Sequence, residues 1–161
     1  MDQVSSPPSP GSVHPADMAP LRVAVAGMVA LAVAMGIGRF AFTPLLPMML
    51  HDGVIDIATG SWLATANYAG YLAGALLYMA LPWLERHLRA VPRNAALARG
   101  GLVATVVLTG LLACPWPASW PRLRFLAGVA SALVFLGTAN WCMGQLTRLG
   151  RPQLAGLIFC G

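Results

Sequence analysis

Among the polar side chains inside the long apolar stretches of the chain, Arg39, Asn67, Tyr71 and Thr138 are the candidates for binding a solute. A guanidinium in such surroundings can hold a carboxylate or another anion, and the amide, phenol and hydroxyl can hydrogen-bond a solute. Arg39 is the most informative of them. On a helix running from about residue 22 to about residue 49, at ~1.5 Å per residue, it sits slightly to the outer side of the middle. There it must face protein, water or an anion. If the helix instead ends near Phe40, Arg39 is an ordinary interfacial anchor, and the residue types alone leave both readings open. No acid lies inside any apolar stretch, the only carboxylates being Asp2, Asp17, Asp52, Asp56 and Glu85. A carboxylate proton carrier is therefore missing from these stretches.

The elements that position these side chains are set by composition. Of 161 residues, 58% are hydrophobic and 9% are charged, with a mean hydropathy of +0.70. Soluble domains are about a quarter charged. The apolar blocks approach the ~20 residues a helix needs to cross a bilayer, so the expected fold is an all-α bundle of transmembrane helices. The blocks cover residues 21–50, 60–84, 95–114 and 123–146, with 154–161 as the start of a fifth span, and the chain stops inside that fifth block. Residues 1–20, rich in proline and serine, read as a disordered tail. A signal peptide starting at Met18 and cleaved after Ala32-Val33-Ala34 is disfavoured, because apolar sequence continues beyond that point.

The ten cations are all arginine and give a net charge of +5. If the N-terminus is inside, seven arginines (22, 86, 89, 93, 99, 148 and 151) fall on the inner side and two (122 and 124) on the outer side. That bias predicts a cytoplasmic N-terminus in an inner membrane. Trp62, Trp83, Trp116, Trp120 and Trp141 lie at or near the span ends, as an interfacial belt requires. A basic face on a soluble body, the mark of nucleic-acid binding, is lacking. Cys114, Cys142 and Cys160 show no ligand spacing and read as small apolar side chains. His51 and His87 are expected on opposite sides of the membrane and no metal cluster is apparent, so neither an enzyme nor a cofactor is expected.

Close packing of helices in lipid needs small residues. Ala66, Gly70 and Gly74 recur every four residues, with Asn67 and Tyr71 on their flank, and Arg124, Gly128, Ser131, Phe135, Thr138 and Cys142 form a comparable strip. These faces either pack a bundle or also line a cavity. Gly36, Gly38, Pro44 and Pro47 around Arg39 predict a break in the first span, of the kind that secondary transporters place near the membrane midplane.

The stretch GIGRFAFTPLLP, Gly36 to Pro47, resembles the first-helix signature of the YbfB/YjiJ-type group in the major facilitator superfamily. ERHLR, Glu85 to Arg89, resembles the gating motif between the second and third helices, keeping Arg86 and Arg89 but with Glu85 for Asp and Leu88 for Gly. RFLAGVASA, Arg124 to Ala132, resembles the fourth-helix motif whose arginine is a candidate for charge or proton coupling. The resemblance implies a transporter of twelve helices in two rocking halves, of which this chain would be an N-terminal fragment inactive alone. It implies as partners the lipid bilayer, a small solute and the remaining helices. The competing expectation is a non-transporting subunit or scaffold whose glycine strips dimerise.

Overall fold

A computed structural model describes residues 15–40, 42–88, 94–112 and 116–160, and among these there is no β-strand. The order is α1 (Pro15–Leu31), a widened helical stretch (Ala32–Phe40), α2 (Phe42–His51), α3 (Ile57–Leu88) and α4 (Asn94–Leu112). A short 3-10 turn (Pro117–Ser119), α5 (Trp120–Arg148) and a last 3-10 helix (Pro152–Cys160) follow.

α1 begins at Pro15, so the end of the segment read as a disordered tail is helical. A proline is well suited to the first helical position, where its missing N–H would have had no partner anyway. Residues 1–14 lie outside the described residues. The expected break in the first span takes the form of the widened stretch, where hydrogen bonds reach one residue further than in an α-helix. α2 resumes directly afterwards, with Pro44 in its first turn, where no N–H is needed, and Pro47 further in.

The helix ends follow from local chemistry. Asp56 caps α3, its Oδ1 accepting from the Thr59 N–H at 2.8 Å. α2 and α5 stop in the same way, at a glycine of positive φ: Gly53 at 66° and Gly150 at 69°. At the first stop the Gly53 N–H donates to the Leu50 carbonyl (3.2 Å) and the Val54 N–H to that of Met49 (2.9 Å). At the second, Gly150 donates to Thr147 (3.1 Å) and Arg151 to Leu146 (3.0 Å). Both sets satisfy carbonyls that a helix end leaves open.

Among the described residues, three helical segments are long and apolar enough to cross a membrane: Ala19–Gly36, Asn94–Leu112 and Trp120–Arg148. That is one fewer than the four complete spans expected. α3 has 32 residues, about 48 Å at ~1.5 Å each, but Asn67, Tyr68, Tyr71 and Tyr78 dilute its hydropathy. The segment expected to open a fifth span is instead the 3-10 helix Pro152–Cys160, with Ile158 fully buried.

α5 is the central helix, packed by α1, the widened stretch, α3 and α4. Contacts of Gly70 with Phe125 and of Gly74 with Val129 run in step, so α3 and α5 are parallel. Cys142 near Val23 and Ser131 near Ala34 make α1 antiparallel to α5, and Gly101 near Val134 with Gly137 near Asn94 does the same for α4. One apolar cluster joins Leu31, Cys142, Leu146 and Ile158, and a second joins Phe42, Leu63 and Trp120.

The seam between α3 and α5 has no room for side chains. A Cβ on Gly70 would strike the Phe125 carbonyl oxygen and lie 2.7 Å from the Phe125 carbonyl carbon. One on Gly128 would strike the Asn67 carbonyl oxygen and lie 2.7 Å from the Tyr71 nitrogen. Gly74 is held almost as closely, with the Val129 carbonyl oxygen at 2.8 Å. Ala66, from the same strip, is only half-buried.

Candidate solute site

Arg39 lies in the last turn of the widened stretch and reaches across to α3. Its guanidinium carbon lies 4.3 Å from the Tyr71 ring centroid, 5.1 Å from that of Tyr68 and 5.7 Å from that of Phe40. A cation over aromatic faces is attracted by their negative π-clouds, more strongly where water is sparse. Across the same small space, Arg124 on α5 is 9% exposed, with its guanidinium carbon 3.9 Å from the Phe42 ring centroid. Arg39, Arg124, Asn67, Thr43, Tyr68, Phe42 and Ala64 line a common cavity of about 30 Å³. No carboxylate is among them. The Nε atoms of both arginines are buried without a hydrogen-bond partner.

Asn67 is buried, and its Nδ2 donates to the Arg124 carbonyl at 3.1 Å. Part of its hydrogen-bonding capacity therefore ties α3 to α5. Close by, the Ser131 hydroxyl donates to the Ala34 carbonyl at 3.3 Å, anchoring the widened stretch to α5. Two larger spaces are lined by apolar residues alone: a groove of about 670 Å³ between α1 and α4, and one of about 560 Å³ between α4 and α5. Lipid-facing surface explains both without a polar ligand.

Residues 31–161 match a family model described as Uncharacterised MFS-type transporter YbfB. The chain belongs to this family of MFS-type transporters. It is accordingly a membrane transporter chain with several membrane-spanning helices, and family membership points to transport rather than enzymatic chemistry. No curated protein and no solved structure matches the chain significantly. All three motifs that carried the resemblance, starting at Gly36, Glu85 and Arg124, lie within the matched residues.

Of the expected solute-binding residues, the structure brings Arg39, Asn67 and Tyr71 together, with Arg124 as their neighbour. It does not bring Thr138. Fourteen residues beyond Arg124 on α5, Thr138 is about 21 Å away along the axis. It is buried there, its hydroxyl without a partner. Glu85 and Arg86 form the far end of α3, about 28 Å along that helix from Asn67. Arg89 lies outside the described residues.

Tyr68, Phe42 and Thr43 belong to the site and were not foreseen. Tyr68 is one residue from Asn67 and three from Tyr71, so a helical wheel centred on the polar flank would have included it. No local signal announces Phe42, because it meets Arg124 only through the packing of α2 against α3 and α5. The same holds for a polar link at the other end of the bundle. There the Asn140 Nδ2 donates to the Tyr78 hydroxyl at 2.8 Å, and Tyr78 donates to the Asn94 Oδ1 at 3.1 Å.

Proposed function

We propose that the protein is a secondary transporter that moves a small solute bearing a carboxylate or another anionic group by alternating access. The observation that carries this reading is the pairing of Arg39 with Arg124 around one cavity that holds no carboxylate. Two cations facing a shared space need a counter-charge, and an anionic solute would supply it. Tyr71 and Tyr68 steady the Arg39 guanidinium, Asn67 adds hydrogen bonding, and Arg124 couples occupancy to movement of α5. Glu85 and Arg86, at the other end of α3, form the gate on the cytoplasmic face together with Arg89 of the same motif. Thr138 contacts the solute only at another stage of its path, given its depth.

On this reading α3 is a fourth span, supported by its length and by the alternation of helix directions. The last 3-10 helix leads into a fifth. The described helices then form most of one six-helix half in an inner membrane, with the N-terminus cytoplasmic, and are inactive without the remaining helices of a longer chain. The alternative, a scaffold dimerising through its glycine strips, has less support, because Gly70, Gly74 and Gly128 are buried against the chain's own helices.

The test is uptake of labelled small carboxylates by proteoliposomes holding the full-length protein as wild type, Arg39→Lys and Arg39→Ala. A hydrogen bond to a charged group contributes about 1.5–3 kcal/mol, so Arg39→Ala should lower kcat/KM by about tenfold or more. The lysine variant should retain part of the activity. Wild-type uptake by both variants would overturn the assignment.

A further inference from the structure

We propose that the cavity between Arg39 and Arg124 binds one compact monovalent anion, of the halide or nitrate class, when no solute is present. The inference rests on reading this cavity as an anion site and adds a resting occupant to it. Three features carry it.

The first is charge. Arg124 is more than nine-tenths buried, Arg39 faces the same space, and no lining residue is acidic. Aromatic faces at 3.9 Å and 4.3 Å stabilise each guanidinium in part, but they carry no net charge to neutralise the pair. The second is directed donors. The Nε–H groups of both arginines are buried and unpartnered, and a buried donor left so is costly. Thr43 adds a hydroxyl to the lining.

The third is size. A water needs roughly 10–15 Å³ on the same measure, so about 30 Å³ admits one compact ion and excludes a solute larger than that. The walls contributed by Phe42 and Ala64 are apolar. They favour a weakly hydrated monovalent ion over sulfate or phosphate, whose second charge raises the cost of leaving water. When the helices part to admit the solute, its anionic group takes the place of the small ion, so the two compete.

The test is thermal unfolding of the purified full-length protein in a non-ionic detergent, with sodium chloride, bromide or nitrate exchanged against sodium gluconate at constant ionic strength. Wild type should show a saturable rise in Tm with the three small anions and none with gluconate. Arg124→Gln should lose that rise, and Arg39→Lys should weaken the apparent affinity by about tenfold. If Arg124→Gln does not fold, saturable binding of radioactive chloride to wild type, displaced by bromide and not by gluconate, takes its place as the supporting result. Equal melting in chloride and gluconate, together with no saturable chloride binding, would overturn the proposal. So would an Arg124→Gln variant that keeps the full anion response. The transport reading fails separately: uptake that depends on Arg39 without any chloride binding removes the resting anion alone, whereas chloride binding with uptake indifferent to Arg39 removes the solute role alone.

Discussion

Replacing Gly70 by alanine tests the α3–α5 seam most directly. The new Cβ would meet the Phe125 carbonyl group, with its carbon at 2.7 Å and the Phe125 Cα at 3.0 Å. Ordinary carbon contacts lie at about 3.5–4.0 Å, so the two helices must separate by about 1 Å. The obstacle is backbone on a long helix, which cannot swing aside as a side chain can. Overpacking of this kind costs about 1–3 kcal/mol. The same movement stretches the Asn67–Arg124 hydrogen bond from 3.1 Å to about 4 Å, beyond bonding range, with a loss of about 1 kcal/mol. Alanine's better helix propensity offsets up to about 1 kcal/mol. The net expectation is a loss of about 2 kcal/mol, or a Tm lower by about 4–8 °C for a chain of this size. Gly128→Ala, which meets the backbone of Asn67 and Tyr71, should behave alike.

Gly110→Ala and Gly144→Ala are the internal controls. Neither glycine has a neighbour within 4 Å, so both substitutions should be neutral or stabilise by up to about 1 kcal/mol. The assay is thermal or denaturant unfolding of the four variants in one detergent, followed by helical circular dichroism. If Gly70→Ala unfolds with wild type or with Gly110→Ala, the helices do not approach as closely as described and the seam argument fails.

Gly53 and Gly150 should respond by a different mechanism. At φ of 66° and 69° an alanine costs about 1–2 kcal/mol, whereas asparagine is tolerated, so melting should rank glycine above asparagine above alanine at both positions. Asp56 gives a pH dependence. The hydrogen bonds from Thr59, side chain first and then backbone, hold its carboxyl below the ordinary value of 3.8. A depressed pKa means that the cap's contribution is complete above 3.8 and fades as pH falls through the folded value below it. The Thr59 amide resonance should titrate with that lowered midpoint, and Asp56→Asn should abolish the titration. A midpoint at or above 3.8 would refute the cap.

Much of this architecture was legible in the amino-acid pattern, for reasons that also mark its limits. Gly36 and Gly38 before Arg39, and Pro44 and Pro47 after it, announce a break because they lack either a side chain or an N–H, and such effects are local. The spacing of Gly70 and Gly74 identifies a close-packed face for the same reason. Depth is another matter. Arg124 and Thr138 recur on one side of α5, and periodicity reports the side but not the distance along the axis, so Thr138 was grouped with a site that lies about four turns away. Tertiary partners are equally silent: Phe42 beneath Arg124 and Ser131 on the Ala34 carbonyl depend on how three helices meet. A composition average is equally blind at α3, where it counts the buried Asn67, bonded to the Arg124 carbonyl of α5, in the same way as the exposed Tyr68.

The widened stretch from Ala32 to Phe40 carries a surplus residue in its turns. In an α-helix each residue accounts for about 100° of rotation. Passing that surplus along the chain would turn the segment beyond it by about the same angle, with the backbone remaining helical throughout. Arg39 stands at the end of this stretch, so its direction depends on where the extra residue is stored. A twist about the helix axis, resisted by the Ser131 hydroxyl on the Ala34 carbonyl, would swing the cation away from Tyr71 and Arg124 while α3 and α5 stay locked together.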